Sequence, residues 1–233
     1  MNIWRTVLRE YQLLRHHYLA SRLRWLIWER KNPLCRNLFR LGDGEYSYFI
    51  HPYNVTWANE RAVEIPVMIH LLEVSEPSSV LEIGNVMSHY FDSNHIVVDK
   101  HETCAYRHII NADIMGFDPQ CKFSLIVSVS TIEHVGWDDL PRDETKVMFA
   151  FKKIRSLLEP CGKAVFTIPV GYNTFLDQQM RDDAIDGATY LCLKRVSVDN
   201  QWIETDLADA LQCKYGSTFK YANAVVFLYL AGE

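Results

Sequence analysis

The stretch VLEIGNVMSHY, residues 80–90, decides the fold class of this chain. Val80–Ile83 predicts a short buried strand, and Gly84 begins the kind of turn that follows the first strand of a nucleotide-binding sheet. Such turns usually contain two or three glycines, whereas this one contains only Gly84. Whether the loop still binds a cofactor therefore depends on what the rest of the chain places beside it.

Seven apolar runs have the length and composition of buried strands. They are Val80–Ile83, His95–Val98, Tyr106–Ile110, Phe123–Val129, Lys163–Ile168, Tyr190–Val196 and Ala224–Leu230. Helical or loop segments separate them, and a helix near Asp143–Leu158 is ended by Glu159-Pro160-Cys161-Gly162. Alternating strands and crossovers predict an α/β fold: a doubly wound, Rossmann-like sheet of seven strands, mostly parallel with an antiparallel edge.

Residues 1–77 are predicted to form an N-terminal extension to the Rossmann-like domain, which we expect over residues 78–233. Apolar residues at helical spacing over residues 3–30 predict a long amphipathic helix, or two. The Asp43-Gly44 pair between two aromatic-rich runs predicts a hairpin. A further helix is expected over Asn59–Leu72.

The charge is unevenly distributed along the chain. Residues 1–40 contain nine lysines and arginines against two glutamates, a net charge of +7, although the whole chain carries −5. Such a segment suits an anionic membrane surface, a second copy of the chain in a homodimer, the acidic body of its own domain, or nucleic acid. The overall acidity and the lack of an RNA-binding motif argue against nucleic acid.

Composition excludes several other classes. With 233 residues, 48% of them hydrophobic, the chain can bury a sizeable core, so a disordered or fibrous protein is not expected. The six cysteines have no zinc-ligand spacing, and we expect no metal site. No signal peptide is evident and no apolar run approaches the ~20 residues of a membrane span, so we expect a soluble, cytoplasmic protein.

Polar residues and glycines directly follow five of the predicted strands. In chain order they are Glu82-Ile83-Gly84-Asn85, Asp99-Lys100, Asn111-Ala112-Asp113-Ile114, Ser130-Thr131-Ile132-Glu133-His134-Val135 and Ile168-Pro169-Val170-Gly171-Tyr172-Asn173. In open parallel sheets, ligands bind beyond the carboxyl ends of the strands, where the strand order reverses. The sequence therefore predicts a ligand site built from these segments.

This ordered set resembles the class I S-adenosylmethionine-dependent methyltransferases, in particular their small-molecule branch, over about residues 78–173. The motifs that carry the resemblance are LEIGNVMSHY, VVDK, NADI, STIEHV and LLEPCGKAVFTIP. Runs similar to HPYNVTWANERAVEIP and STIEHVGWD occur in bacterial methyltransferases associated with surface-glycan or natural-product pathways. The resemblance implies S-adenosyl-L-methionine as cofactor and methyl transfer as the reaction.

By the same resemblance, the cofactor-binding residues are Glu82, Gly84, Asn85, Asp99, Lys100, Asp113, Ile114 and Ser130. In that family the glycine turn holds the methionine and ribose part, the acid at Asp99 accepts from the ribose hydroxyls, and Asp113 with Ile114 contacts adenine. Val86 and Ser88 stand where the family often has its second and third glycines. Only fourteen residues separate Gly84 from Asp99. We therefore expect a compact loop with a short turn around Ser88–Phe91.

His134 is the candidate general base, because the unperturbed pKa of a histidine lies near neutrality. Glu133 would orient His134, hold the cofactor's amino group, or do neither, and His89 is a further candidate for the acceptor side. Tyr53–Arg61 would form a lid or acceptor wall. The predicted function is methyl transfer to a small molecule or saccharide, at a hydroxyl.

Three alternatives remain open at this level. A non-catalytic, methyltransferase-like scaffold would have lost the cofactor at the glycine-poor loop. An RNA methyltransferase would use the basic front segment. A nicotinamide-dependent sugar enzyme would need a Gly-x-Gly-x-x-Gly turn, which the chain lacks.

Overall fold

A computed structural model describes residues 37–92, 94–102 and 109–232. The predicted N-terminal amphipathic helix lies outside these ranges, as does most of the predicted strand Tyr106–Ile110. The boundary between an extension and a domain at residue 77 stays a prediction.

Ten strands are present in the described ranges. They are β1 (Leu38–Leu41), β2 (Gly44–Ser47), β3 (Val80–Ile83), β4 (Ile96–Asp99), β5 (Ile109–Asn111), β6 (Phe123–Val129), β7 (Leu158–Pro169), β8 (Thr189–Arg195), β9 (Trp202–Thr205) and β10 (Ala224–Ala231). The α-helices are α1 (Arg61–Glu73), α2 (Lys146–Ser156), α3 (Thr174–Arg181) and α4 (Leu207–Ala210). Short 3-10 turns, including Met87–His89 and Ile132–His134, join these elements.

The main sheet has eight strands in the order β5-β4-β3-β6-β7-β10-β8-β9. The first five in that order are parallel to one another, and β10 lies antiparallel between β7 and β8. The doubly wound, mostly parallel sheet with an antiparallel edge is therefore confirmed. The chain runs outward from β3 to β5 and returns to β6 on the other side of β3, so the strand order reverses between β3 and β6. A ligand crevice is expected at the carboxyl ends of these two strands.

Two details differ from the sequence prediction. The sheet has an eighth strand, β9, which pairs with β8 at the edge. Its four residues are too few to show a clear alternation, and Trp202 is the only one of them that is buried. Strand β7 begins at Leu158 rather than Lys163, and the pairing of β6 with β7 changes register between Phe123 and Leu125. The predicted turn at residues 159–162 is thus an irregularity within a strand.

Helices and the hairpin cover the two faces of the sheet. Along β10, Val225 and Phe227 pack against α1 and the β1-β2 hairpin, whereas Val226 and Leu228 share the core of α2 and α3. Alternation of this kind is what a strand buried on both faces requires. The β1-β2 hairpin and α1 therefore share a core with the sheet.

None of the helices in the described ranges is long and apolar enough to cross a lipid bilayer.

Candidate functional site

A cavity of about 190 Å³ lies at the carboxyl ends of β3, β4, β5 and β6. Five of the eight predicted cofactor-binding residues line it: Gly84, Asp99, Lys100, Asp113 and Ile114. His134, the predicted base, lines it as well. A larger cavity of about 580 Å³, between α2 and the start of β7, contains none of the predicted site residues. The structure thus gathers most of the predicted site at the point where the strand order reverses.

Position 84 requires a glycine for two reasons, its backbone conformation and its close contact with Thr131. Its φ of 83° lies in the left-handed region, and a Cβ at this position would overlap the Thr131 side chain. The loops after β3 and β6 are therefore in contact. The missing Cβ of Gly84 makes room for Thr131.

The loop after β3 is closed by its own hydrogen bonds. The Gly84 amide donates to the Val98 carbonyl (2.8 Å), and the Asn85 amide donates to Asp99 Oδ2 (2.9 Å). The amides of Val86 and Met87 both donate to Glu82 Oε1 at 2.8 Å. All four amides from Gly84 to Met87 are engaged within the protein.

Glu82 and Asn85 lie outside the cavity lining. Glu82 is fully buried, and besides the loop amides it contacts His95 Nε2 through Oε2 at 2.7 Å. The Asn85 side chain donates to Glu102 Oε2 at 2.9 Å. Both residues shape the loop from behind, and their predicted contact with a cofactor remains untested.

Asp99 ends β4 with its carboxylate held by backbone amides. Oδ2 accepts from Asn85, and Oδ1 accepts from the amides of His101 (2.7 Å) and Glu102 (2.6 Å). Partial burial raises the pKa of Asp99, but the three amides outweigh it, so the pKa lies below its ordinary value. Asp99 is therefore ionised at neutral pH, it lines the cavity, and one of the about four lone-pair sites of its carboxylate is left for a further donor.

Asp113 belongs to a network of four charges. Lys146 Nζ lies 2.8 Å from Asp113 Oδ2 and 2.7 Å from Asp139 Oδ2, and Lys100 Nζ lies 2.7 Å from Asp139 Oδ1. Partial burial raises the pKa of Asp113, but the hydrogen bonds from Lys146 and the Met115 amide, together with the charges of Lys146 and Lys100, outweigh it, and the pKa is lowered overall. Asp113 also caps the turn Ile114–Gly116 by accepting from the Met115 amide.

Lys146 is a site residue that the sequence reasoning missed. It is the first residue of α2, and its ammonium reaches the loop after β5, 33 positions earlier in the chain. One signal was available in the sequence. The helix dipole disfavours a lysine in the first turn of a helix, so a lysine at that position suggests a role for its ammonium outside the helix.

His134 is oriented by Asp138. Its Nδ1 lies 2.6 Å from Asp138 Oδ2, which also accepts from the Tyr172 hydroxyl at 2.8 Å. Partial burial raises the pKa of Asp138, but the hydrogen bonds from His134 and Tyr172 lower it by more. The pKa therefore lies below its ordinary value, and Asp138 is ionised at neutral pH. An ionised Asp138 accepts a hydrogen bond from Nδ1–H, and this places the lone pair of the His134 ring on Nε2.

Glu133 does not orient His134 by a hydrogen bond, because its Oε1 lies 3.7 Å from His134 Nε2. The Glu133 side chain is buried, and its Oε2 has no hydrogen-bond partner within the described part of the chain. Burial, and to a lesser degree the charge of Glu64, raises the pKa of Glu133 well above its ordinary value. The protonated form of Glu133 is therefore favoured relative to that of an exposed glutamate.

Ser130 and His89 lie outside the cavity lining. The Ser130 hydroxyl donates to Glu64 Oε1 at 2.6 Å. His89 Nε2 lies 3.4 Å from Glu102 Oε1, and its ring stacks on Tyr53 at 4.9 Å between centroids. The turn Met87–His89 stands where a short turn was predicted.

A metal centre finds no support in the three described ranges, where no three His, Cys, Asp or Glu side chains converge on one point. Among these side chains, His95 is bound to Glu82.

No protein-family model matches the chain, and no curated protein matches its sequence. Solved structures with a similar fold include the N-methyltransferase NodS from Bradyrhizobium japonicum WM9 in complex with S-adenosyl-L-homocysteine. The match has 16% sequence identity and a TM-score of 0.44, and it covers 69% of this chain and 81% of that chain. The glycopeptide N-methyltransferase MtfA, also with S-adenosyl-L-homocysteine, matches with 11% sequence identity and a TM-score of 0.43. The match covers 72% of this chain and 89% of that chain. The sugar N-methyltransferase KedS8 from Streptoalloteichus sp ATCC 53650 matches with 13% sequence identity and a TM-score of 0.40. The match covers 74% of this chain and 88% of that chain. Chains this dissimilar share at most a fold, so the function has to come from the residues of the site.

Proposed function

We propose that this chain is an S-adenosyl-L-methionine-dependent methyltransferase that acts on a small-molecule or saccharide acceptor. The observation that carries the proposal is that the backbone amides of the loop after β3 are all hydrogen-bonded within the protein. This loop lies beside a cavity whose lining includes Asp99 and Asp113. A dinucleotide or nucleoside triphosphate needs free loop amides for its phosphates. Here the amides of Gly84, Asn85 and Val86 are all engaged within the protein.

The residues present fit a cofactor that has an adenosine group and a positive charge but no phosphate. Asp99 is an ionised acceptor in the cavity lining, with one lone-pair site left for a ribose hydroxyl. Apolar side chains of Val98, Ile114 and Val135 line the same cavity and suit the flat adenine ring. Asp113 is positioned by Lys146 to accept from the adenine amino group.

The catalytic roles follow from the geometry around His134. When bound, S-adenosyl-L-methionine supplies a methyl group on its sulfonium. His134 Nε2 accepts the proton of an acceptor hydroxyl, and Asp138 stabilises the imidazolium that results. Tyr172 holds Asp138 in place. Most of the rate enhancement comes from alignment of the acceptor oxygen with the methyl group, and the base adds to it.

The proposal is tested by thermal unfolding with S-adenosyl-L-homocysteine. At a ligand concentration about one hundred times the Kd, binding adds about 2.7 kcal/mol to the free energy of unfolding, which raises Tm by about 5–10 °C for a domain of this size. Asp99→Asn should reduce that shift by more than half, because one carboxylate acceptor becomes an amide donor.

Asp118→Asn is the matched control, since the Asp118 side chain is 87% exposed and lies outside the cavity. It should keep the full shift. A wild-type protein whose Tm is unchanged by the ligand would instead support the non-catalytic, scaffold alternative.

A further inference from the structure

A group of four ionisable side chains lies next to the cavity but is not part of its lining. Its members are Glu60 and Arg61 at the start of α1, Glu64 one turn later, and Glu133 after β6. We call them the buried carboxylate cluster. Glu64 is 0% exposed, Glu133 1% and Glu60 8%, and the Arg61 side chain is 14% exposed. None of these residues has been needed for the cofactor contacts proposed above.

Two of the three carboxyl groups have partners. Arg61 Nη1 lies 2.5 Å from Glu64 Oε2, and Ser130 donates to Glu64 Oε1 at 2.6 Å, so both Glu64 oxygens are engaged. Glu60 Oε2 accepts from the Ala222 amide at 3.2 Å. Ser130 holds its position with a φ of 40°, an unfavourable backbone conformation for serine, which tends to persist where function requires it.

Glu133 is the exception in the cluster. Its Oε2 is one of three buried side-chain oxygens or nitrogens without a hydrogen-bond partner in the described part of the chain. A buried polar atom left unpaired costs about 1–3 kcal/mol, so such atoms are few in folded proteins and call for an explanation. A ligand that donates to Glu133 Oε2 supplies the missing partner.

The charge balance of the cluster indicates what kind of ligand that is. Three carboxyl groups face a single guanidinium, and the charges of Glu64 and Glu60 both act on Glu133. Carboxyl groups that share one buried cluster raise one another's pKa, and this favours a proton on Glu133. A ligand cation can take the place of that proton.

Aromatic side chains adjoin the cluster at the surface. His134, beside Glu133, is in edge contact with Tyr172 at 4.6 Å, and Tyr172 with Tyr215 at 5.6 Å. Burial, and to a lesser degree the charge of Glu60, raises the pKa of Tyr215 to about 12. Tyr215 is 38% exposed, so part of its ring is open to solvent. Aromatic faces with carboxylates are a common setting for organic ammonium groups.

We propose that the buried carboxylate cluster binds an ammonium group of the acceptor through Glu133, and hence that the acceptor is an amine-bearing small molecule or saccharide. This inference rests on the methyltransferase function proposed above. On binding, Glu133 releases its proton to solvent and its Oε2 accepts a charge-assisted hydrogen bond from the ammonium. The ammonium anchors the acceptor, while a hydroxyl of the same molecule meets His134 Nε2.

A metal ion fits the cluster less well. Hard cations such as calcium and magnesium need about six or more oxygen ligands, and both Glu64 oxygens are already engaged by Arg61 and Ser130. An ammonium needs only a few acceptors, and Glu133 Oε2 is one that is unused.

Ethylammonium chloride is the probe, because it carries the ammonium without assuming any scaffold. The readout is the carboxyl carbon resonance of Glu133 in protein labelled with ¹³C-glutamate, identified by its loss in Glu133→Gln. We expect this resonance to move saturably to the ionised position, with half-saturation at about 1 mM or above, as a three-atom ligand allows. Sodium chloride at equal ionic strength should leave it in place.

Glu144→Gln, a change at an exposed glutamate, is the matched control and should leave the response unchanged. A Glu133 resonance that stays protonated in ethylammonium, or that moves equally in sodium chloride, overturns the proposal. S-adenosyl-L-homocysteine is titrated into the same samples. Its binding reports separately on the methyltransferase function, so failure of one claim is distinguished from failure of the other.

Discussion

His134 Nδ1 lies 2.6 Å from Asp138 Oδ2, and this short contact fixes which ring nitrogen of His134 is available as a base. The two residues are four positions apart, on the 3-10 turn after β6 and the loop that follows it. The adjacent acid, Glu133, keeps a distance of 3.7 Å and does not compete for the ring. In the functions proposed above, Asp138 orients the base and Glu133 recognises the acceptor, so the two tasks belong to different carboxyl groups.

Asp138→Asn should lower kcat by about 10- to 100-fold with little change in KM, because an amide no longer fixes the Nδ1–H tautomer of His134. Release of S-adenosyl-L-homocysteine with an accepted substrate is the measurement. Tyr172→Phe removes only one bond to Asp138, and it should cost less. Full activity in Asp138→Asn would mean that His134 is not the base.

Gly84→Ala should destabilise the fold by about 1–3 kcal/mol, because alanine is strained at a φ of 83° and its Cβ overlaps Thr131. Urea denaturation measures the loss. Gly116→Ala is the matched comparison, since no atom lies within 4 Å of a Cβ at that position. Equal stability of the two variants would show that the loops after β3 and β6 do not pack as described.

Lys146→Gln should weaken the binding of S-adenosyl-L-homocysteine by about 3- to 10-fold. Without the ammonium, Asp113 loses the partner that positions it and lowers its pKa. Lys152→Gln, on the same helix but exposed, should bind as the wild type does. If both variants kept wild-type affinity in a calorimetric titration, Asp113 would not be part of the adenine contact.

Asp177 predicts a pH dependence of stability. Burial raises its pKa to about 6, above the value of about 3.8 expected in the unfolded chain. The folded state therefore binds more protons between those values, and this group makes stability fall as pH rises from about 4 to 6, by up to about 3 kcal/mol.

Asp177→Asn keeps an oxygen that can accept from the Gly171 amide while removing the buried charge. It should be more stable than the wild type at pH 8 and no more stable at pH 4. Parallel stability curves for the two proteins would contradict the assignment.

The sequence predicted the sheet well because its central strands are mostly apolar and buried on both faces. Phe123–Val129 was predicted with the bounds that the structure has, and Val80–Ile83 likewise. The edge strand β9 was missed because local alternation is weak over four residues and its pairing with β8 is a tertiary contact.

The site was predicted in part for a similar reason. Residues that directly follow a parallel strand, such as Asp99 and Asp113, can be located from the strand pattern alone. Lys146 and Glu64 reach the site from helices, across 33 and 66 positions of sequence to Asp113 and Ser130. No local pattern encodes such contacts, and the roles of Glu82 and Asp138 became visible only with the hydrogen bonds they accept.

Calorimetric titration of the folded protein with S-adenosyl-L-homocysteine, and separately with NAD⁺, tests the central claim most directly. The engaged loop amides and the ionised Asp99 predict saturable one-to-one binding of S-adenosyl-L-homocysteine and no detectable binding of NAD⁺. Binding of NAD⁺ alone, or of neither ligand by a folded sample, would contradict the account.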